Sequence, residues 1–385
     1  MKVLFCDNAL TSLINFRSDV ISHFLSLNYE VVLVAPINQK NKKMEKEIPN
    51  GCKIYNIEME PVSMNPIKDI KYFYELLKVY HKELPDIIFH YTIKPNIYGT
   101  FAARLFGIKT VAMVAGLGYV FTGNGILKRL SRILYKMMLK LSHKVISLNK
   151  RNYKLLLDKK FVKQNQIILY EGGEGVNLEQ YTYSQSKFNE VIFLMVARIL
   201  YDKGYKEYVD AAKIVKEKYP DIKFKILGPL DTESPMGVPQ KVIDKDVSDG
   251  YIEYLGITNN IQSIMSNPNI VSVLPSYHEG LSRSLMEACA MGKPIITTDI
   301  PGCRETVDDG INGYLVPVKK AEPLAEAIIK FIELSKEEQI SMAKASYLKA
   351  KESFDVTNVL KKYDSIVCEL FENKTKHKSI IHKKD

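Results

Sequence analysis

Two glutamates, Glu279 and Glu287, stand eight positions apart in a stretch that suits the binding of a phosphorylated sugar. An apolar run ends at Pro275, Glu279 follows in a short polar loop, and a helix predicted to open at Ser282 carries Glu287. Ligands of open parallel sheets bind at the carboxyl ends of strands, where this loop would lie. The first-turn amides favour a phosphate, and carboxylates accept from hydroxyls. A sugar nucleotide has both kinds of group, whereas the alternative interpretation is an ordinary helix with two solvated glutamates.

Two cations, Arg198 and Lys203, follow another apolar run, just before Gly204 and a second predicted helix. An arginine and a lysine at a strand end can clamp a diphosphate. Breaking a sugar–phosphate bond leaves negative charge on the departing diphosphate, and preorganised cations stabilise such charge. Solvated surface cations, which are common in so basic a chain, are the alternative interpretation.

A metal ion could neutralise the same charge, and the chain has an Asp-x-Asp pair at Asp244 and Asp246. The pair lies in a polar stretch, residues 239–250, rather than at the end of an apolar strand. We therefore interpret it as a solvated loop and predict no metal site. Arg198 and Lys203 would replace the metal.

The elements that must position these residues alternate between apolar strands and amphipathic helices, and the alternation begins twice. One series occupies residues 2–170 and the other residues 191–352, with a polar stretch at 178–190 that we interpret as a linker. Alternation of this kind predicts parallel, doubly wound sheets. The 385 residues suit about two such domains.

The composition indicates a globular protein with an anionic partner. Lys plus Arg is 54 and Asp plus Glu is 44, giving a net charge of +10. Nucleic acid is not favoured as that partner, because the aromatic and basic residues are not interleaved as nucleic-acid-binding modules require. Five scattered cysteines indicate free thiols in a reducing compartment. Without a signal-peptide core or an apolar run long enough to span a bilayer, we predict a cytoplasmic protein.

Residues 126–144 form a predicted basic amphipathic helix. Its broad apolar face consists of Leu127, Leu130, Ile133, Leu134, Met137, Met138 and Leu141. Lysines and arginines take much of the remaining surface, and such a helix can lie on an anionic membrane. A core-packed helix with a solvated basic face is the alternative.

The stretch around Glu279 resembles the retaining glycosyltransferases of family 4, whose mark is Glu, seven residues, Glu, and a short helix that ends in Gly-x-Pro. Glu279, Glu287, Gly292 and Pro294 stand in those places. The resemblance extends over nearly the whole chain. It implies an α/β fold of the GT-B type, with two facing Rossmann-like doubly wound domains and a cleft between them.

The alternation of strands and helices, together with the resemblance, predicts where each domain begins and ends. Residues 1–180 would be the acceptor-side domain and residues 188–352 the nucleotide-sugar-binding domain. Residues 353–373 would be a helix that returns to the first domain, and residues 374–385 a basic tail.

By the same resemblance, the second domain holds the donor. Arg198 and Lys203 would hold its diphosphate, Glu279 would sit near its sugar as the third catalytic residue, and Glu287 would accept from the ribose hydroxyls. The donor-binding backbone would come from Gly280, Leu281, Ser282, Arg283 and Ser284. The family commonly has Glu-Gly-Phe-Gly where this chain has Glu-Gly-Leu-Ser, which leaves the identity of the sugar open.

Two loops of the first half are candidates for the acceptor side. One follows the third predicted strand and carries His90, Lys94 and Asn96, and the other carries Gly116 and Gly118. Many family members keep a catalytic histidine in the first loop, but His90 comes a few positions early, and a lone histidine at a strand end is more often structural. The two glycines lack the third glycine of a dinucleotide fingerprint, so we interpret them as a close-approach loop.

These features predict a retaining, metal-independent glycosyltransferase that needs no cofactor. It would move a hexose or N-acetylhexosamine from a UDP-sugar to a lipid-linked, polyprenyl diphosphate saccharide in surface polysaccharide or glycan assembly. The acceptor would bring it to the inner face of the cell membrane through residues 126–144. A UDP-sugar epimerase of the same twin-domain fold and a non-catalytic binding protein are the alternatives.

Overall fold

Two separate parallel sheets organise this chain, whose computed structural model describes residues 1–39, 41–60, 65–114, 126–258 and 260–381. The first unit is Met1–Glu174 together with the C-terminal segment from Thr357, and the second unit is Gly175–Val356.

The first unit is built on seven parallel strands in the order β3-β2-β1-β4-β5-β6-β7. In chain order they are β1 (Lys2–Cys6), β2 (Glu30–Ala35), β3 (Cys52–Asn56), β4 (Ile87–Tyr91), β5 (Lys109–Val114), β6 (Lys144–Ser147) and β7 (Ile167–Leu169). Most strand residues are buried, as expected for strands covered by helices on both faces. The chain reverses its direction of travel across the sheet between β1 and β4, which are neighbours.

Among the described residues of this unit, six helices cover the two faces of the sheet. They are α1 (Leu10–Ser26), α2 (Pro66–Glu83), α3 (Thr100–Leu105), α4 (Ile126–Leu141), α5 (Lys150–Asp158) and the C-terminal helix, numbered α12 (Val356–Ile381). α1 and α12 cover one face, where Phe24 and Tyr363 pack against Phe89. α2, α3, α4 and α5 cover the other face.

The second unit is built on six parallel strands in the order β10-β9-β8-β11-β12-β13. In chain order they are β8 (Ile192–Val196), β9 (Lys223–Leu227), β10 (Glu253–Tyr254), β11 (Ile270–Leu274), β12 (Ile295–Thr298) and β13 (Gly313–Val316). Its helices are α6 (Tyr205–Lys218), α7 (Gln240–Ser248), α8 (Ile261–Met265), α9 (Arg283–Ala290), α10 (Ala321–Ile332) and α11 (Lys336–Lys349). Here the direction reverses between β8 and β11, which are again neighbours.

Three stretches differ from the expectations. Residues 178–190 are not a free linker, because Tyr181 and Phe188 are buried in the core of the second unit. The expected solvated loop at Asp244 and Asp246 is part of the helix α7. α12 continues to Ile381, so that part of the expected basic tail is helical.

Candidate active site

The loops that follow β8 and β11 leave the sheet of the second unit side by side. β8 leads outward to β9 and β10, whereas β11 leads the other way to β12 and β13. The carboxyl ends of two adjacent strands at such a reversal form the ligand-binding crevice of doubly wound sheets. The β8 loop carries Arg198 and Lys203, and the β11 loop carries Glu279.

Gly204 lets these two loops touch. Its φ is +81°, and a Cβ atom there would lie 2.2 Å from the carbonyl oxygen of Pro275. Only glycine fits both the backbone angle and the space. The backbone N–H of Tyr277 donates to the carbonyl of Asp202 at 2.8 Å, which fixes the loops against each other.

This contact brings together two of the three predicted catalytic residues. The Lys203 Nζ lies 2.6 Å from the Glu279 Oε1, and the side chains are 19% and 13% exposed. A half-buried ion pair of this kind holds the ammonium in one place, since both partners have lost much of their freedom to rotate. The ammonium therefore lies beside Glu279, which precedes Ser282 by three residues in the chain.

Arg198 has a different partner. Its Nη1 lies 2.9 Å from the Oδ2 of Asp231, on the loop after β9, and its side chain is 58% exposed. Both predicted cations therefore lie on the loop after β8. Lys203 pairs with a residue of the β11 loop, whereas Arg198 pairs with a residue of the β9 loop on the other side of β8. Neither Asp231 nor its pairing with Arg198 carries a signal in the sequence.

The helix α9 begins at Arg283, with Ser282 in the N-cap position. Ser282 has the extended backbone of a cap, but its hydroxyl makes no capping hydrogen bond and lies 3.4 Å from the Ser284 hydroxyl. The N–H of Ser282 donates to the carbonyl of Gly302 at 2.8 Å. The first-turn amides of α9 have no acceptor within the helix, as at every helix start, so this end suits an anion. Gly280 and Leu281 lie in the loop just before it.

Glu287 is buried on α9 and is held by its neighbours. The Arg283 Nε donates to its Oε1 at 2.8 Å, one helical turn away. Burial and the nearby Glu287 carboxylate raise the pKa of the Tyr181 hydroxyl, which hydrogen-bonds to that carboxylate. Tyr181 comes from the stretch expected as a linker, so its contact with Glu287 could not be read from the sequence.

The loop after β12 packs against the backbone of Glu279. Gly302 has a φ of +92°, and a Cβ there would lie 2.6 Å from the carbonyl oxygen of Glu279. The N–H of Gly302 donates to the carboxylate of Glu305 at 2.6 Å. Glu305 therefore anchors the backbone that supports Glu279.

The Asp-x-Asp pair is not arranged as a metal site. Asp246 accepts from the Tyr205 hydroxyl at 2.8 Å inside the unit, and Asp244 accepts from the Gln240 amide at 2.7 Å. The expected loop is a helix whose Ile243, directly before the pair, is buried against the core. Within the described residues, no three His, Cys, Asp or Glu side chains come together as ligands of a metal ion.

His90 lies in the core of the first unit and not at a surface. It is fully buried, its Nε2 is 2.9 Å from the Tyr80 hydroxyl, and burial lowers its pKa to about 3. A Cβ on Gly99 would lie 2.4 Å from the same ring nitrogen. An enclosed, neutral histidine cannot contact an acceptor, so we assign His90 a structural role.

The other predicted acceptor-side residues are also engaged. The Lys94 Nζ pairs with Asp69 Oδ1 at 2.6 Å, and the buried Asn96 amide donates to the Met113 carbonyl at 2.8 Å. Pro95–Gly99 form a π-helical turn that continues directly into α3. Gly116 and Gly118 lie outside the described residues.

A buried charge cluster at the reversal point of the first sheet was not predicted. Arg17 Nη2 lies 3.1 Å from Glu174, its Nη1 lies 3.8 Å from Asp7, and the guanidinium stands 4.3 Å from the centre of the Tyr91 ring. Burial, opposed by Arg17, raises the pKa of Asp7 to about 6. The signal was available, because Asp7 directly follows β1 and Arg17 interrupts the apolar face of α1 at helical spacing.

α4 packs on the sheet and still exposes apolar side chains. Tyr135 and Leu139 are buried beneath it, whereas its exposed apolar residues are Leu130, Ile133, Met137 and Leu141. The helix therefore packs on the sheet through one side, and its contact with a membrane stays a prediction. Among the described helices, none combines the length and apolar character needed to cross a membrane.

Comparison with known sequences identifies both parts of the chain. Residues 182–349 match the model of the glycosyl transferases group 1, and residues 2–149 match the glycosyl transferase 4-like model. The N,N'-diacetylbacillosaminyl-diphospho-undecaprenol alpha-1,3-N-acetylgalactosaminyltransferase of Campylobacter jejuni is 29% identical over 95% of this chain and 99% of its own length. The UDP-Gal:alpha-D-GlcNAc-diphosphoundecaprenol alpha-1,3-galactosyltransferase of Escherichia coli is 26% identical over 69% of this chain and 70% of its own length.

Comparison with solved structures gives the same fold. HepE of Anabaena, in complex with UDP, superposes with a TM-score of 0.76 at 16% identity, over 96% of this chain and 100% of that one. A glycosyltransferase of Rickettsia africae reaches a TM-score of 0.78 at 19% identity, over 97% and 99% of the two chains. The predicted α/β fold, with two Rossmann-like domains of the GT-B type, is confirmed.

Proposed function

This chain belongs to the glycosyltransferases, and we propose that it moves a hexose or N-acetylhexosamine from a UDP-sugar to a saccharide on polyprenyl diphosphate. Two relatives named above act on sugars linked to diphospho-undecaprenol, and one of them uses UDP-Gal. These names support a lipid-linked acceptor and a UDP-linked donor. The surface polysaccharides and glycans of bacteria are the products we expect.

The observation that carries the proposal is the Lys203–Glu279 ion pair beside the amino end of α9. A departing UDP gains negative charge on its diphosphate as the sugar bond breaks. The ammonium of Lys203, the first-turn amides of α9 and the guanidinium of Arg198 are the groups that would stabilise this charge. With fixed cations in this role the transfer needs no metal ion, and we expect no cofactor.

The buried Glu287 carboxylate would bind the ribose. Arg283 holds one oxygen at 2.8 Å, which orients the carboxylate before the donor arrives. Carboxylates accept two or more hydrogen bonds, so Glu287 can accept from ribose hydroxyls while it remains paired. Glu279 would lie near the donor sugar, and the family resemblance leads us to propose retention of the anomeric configuration.

A lipid-linked acceptor would require the protein to act at a membrane. A polyprenyl chain stays in the bilayer, and the exposed apolar residues of α4, with Arg129, Arg132 and Lys136 on the same helix, would contact an anionic leaflet. We propose that the protein is cytoplasmic and binds peripherally to the inner face of the cell membrane.

A donor screen tests the proposal. UDP-glucose, UDP-galactose and their N-acetylamino counterparts are each incubated with short-chain polyprenyl diphosphate saccharides, and the products are identified by mass. We expect one donor to extend an acceptor, and Glu287→Ala and Arg198→Ala to lower the rate about 100-fold. The exposed Glu217→Ala and Arg151→Ala serve as controls. Full activity in both site variants would contradict the assigned site.

The epimerase alternative has no support from the families and relatives reported above. It predicts a changed sugar when a UDP-N-acetylhexosamine is incubated with the protein alone. We expect no such change without an acceptor, and an altered sugar at rates matching or exceeding transfer would favour the epimerase.

A further inference from the structure

We propose that a lysine-lined pocket at the amino ends of β5 and β6 binds the phosphate headgroup of an anionic phospholipid. The cavity has a volume of about 350 Å³. Its charged and titratable lining residues are Lys109, Lys140, His143, Lys144, Lys163 and Glu369. The inference extends the membrane contact of the proposed function to a specific binding site.

The pocket is separate from the edge of the sheet where substrates are expected. Lys109 is the first residue of β5 and Lys144 the first of β6. These are amino ends, whereas the ligand-binding loops of doubly wound sheets follow the carboxyl ends. A ligand here would therefore serve attachment or regulation and not the transfer itself.

The charge of the pocket favours an anion. Four lysines face one carboxylate, and that carboxylate, Glu369, pairs with Lys144 at 2.5 Å. Within the part of the chain that the structure describes, the ammonium groups of Lys109, Lys140 and Lys163 form no hydrogen bond or ion pair. Uncompensated ammonium groups around one concavity attract a phosphate, because each adds to the same positive potential.

His143 adds a neutral donor to these cations. The backbone N–H of Thr110 donates to its Nδ1 at 3.1 Å, which leaves the ring proton on Nε2. Burial, with Lys109 and Arg104 nearby, lowers the pKa of His143 to about 4. The ring is thus an uncharged N–H donor at neutral pH, so it can bind an anion without adding repulsion among the lysines.

The walls of the pocket are fixed in advance. The Gln166 amide donates to the carbonyls of Leu139 at 2.7 Å and Lys140 at 3.3 Å, at the end of α4. Lys144 Nζ donates to the Asn165 carbonyl at 3.0 Å. Because Gln166 satisfies the terminal carbonyls of α4, the nearby lysine ammonium groups are not needed there and remain for a ligand.

The position next to α4 selects a lipid as the source of the phosphate. Lys140 lines the pocket and belongs to the last turn of α4. The adjoining Met137 and Leu141 are exposed apolar residues of the same helix. A bilayer that receives these side chains would present its phosphate groups at the depth of the helix end, where Lys140 stands.

Vesicle flotation tests the site with the full-length protein. The vesicles contain either equal amounts of phosphatidylcholine and phosphatidylglycerol or phosphatidylcholine alone. The test variant is Lys109→Gln with Lys163→Gln, and the control of equal charge change is Lys241→Gln with Lys245→Gln, on the exposed side of α7. The wild type should float only with phosphatidylglycerol. The test variant should bind roughly 30-fold more weakly, at about 1 kcal/mol per lysine, and the control should match the wild type.

Two outcomes would overturn the proposal. In one, the pocket variant and the control bind the mixed vesicles equally. In the other, soluble glycerol phosphate binds the wild type in calorimetry and not the pocket variant, while vesicle binding is unchanged, so that the ligand is a free phosphate ester. Transfer to an acceptor in neutral detergent should survive in the pocket variant. If the wild type itself shows no transfer in this assay, the result would count against the proposed function and not against the lipid site.

Discussion

Lys203 and Glu279 form an ion pair that would place a positive charge for the proposed reaction before the substrate arrives. The carboxylate holds the ammonium at 2.6 Å in a half-buried position, so little conformational entropy remains to be lost when a diphosphate binds. A diphosphate would compete with Glu279 for the same cation. Glu279 is therefore expected to help the chemical step more than it helps the binding of UDP.

Glu279→Gln should separate these two effects. Without the carboxylate Lys203 is no longer held, and we expect kcat to fall about tenfold or more. UDP should bind at least as tightly as in the wild type, because a negative charge next to the diphosphate has been removed. Steady-state kinetics and UDP titration measure both quantities, with the exposed Glu322→Gln as the control. An unchanged kcat would contradict the role given to Glu279.

His90 should make the first unit sensitive to acid. Its pKa in the folded protein, about 3, is below the ordinary value of 6.5, so folding favours the neutral ring. The stabilisation is complete above pH 6.5 and is lost as the pH falls from there toward 3. His90→Gln should reduce the slope of unfolding free energy against pH in this range, by up to about 1.4 kcal/mol per pH unit.

Denaturant titrations between pH 7 and pH 4 measure this slope. His81→Gln is the matched control, since it replaces a solvent-exposed histidine of the same unit. Equal slopes for the two variants would show that His90 is not held neutral in the core.

Among the elements, the loops after β8, β11 and β12 form one contiguous support. Gly204 closes the gap between the first two, and Gly302 does so between the last two. In both places a backbone carbonyl occupies the space of a Cβ. The geometry of the ion pair therefore depends on two residues that carry no functional group.

Gly302→Ala should damage the site without unfolding the unit. The new Cβ would lie 2.6 Å from the Glu279 carbonyl, so the β11 loop must shift. Gly310→Ala is the control, because its φ of +76° imposes similar backbone strain while no atom lies within 4 Å of the new Cβ. Both variants should lose about 1–2 kcal/mol of stability from the backbone. Only Gly302→Ala should also lose transfer activity, and equal activities would contradict the supporting role of this loop.

The features that could be predicted from the sequence depend on patterns along the chain. The features that were missed depend on contacts between residues that are distant in the chain. Lys203 and Glu279 could be brought together because each follows an apolar strand, and adjacent strand ends share one edge. The burial of His90 could not be foreseen, because it depends on Tyr80 and Gly99 packing around the ring. The burial of Tyr181 could not be foreseen either, because its neighbours in the sequence are polar and resemble a linker.

On the scale of the whole molecule, the second unit holds the groups that suit a nucleotide sugar, and the first unit carries the basic and apolar surface that suits a membrane. The net charge of +10 gives no such division by itself. Exposed apolar side chains lie along α4, and the adjoining pocket is lined by lysines, three of which form no ion pair with the residues that the structure describes. We therefore expect vesicle binding and donor binding to be affected by different substitutions.

The central claim is that fixed protein cations, and not a metal ion, hold the diphosphate of the donor. The most direct test is calorimetric titration of UDP in excess chelator, with the wild type, Lys203→Met and the exposed neighbour Lys206→Met as the control. We predict that the wild type and the control bind UDP equally well with or without added magnesium, and that Lys203→Met binds roughly 30-fold more weakly. Binding that appears only with a divalent cation, or equal affinities in the two lysine variants, would contradict the claim.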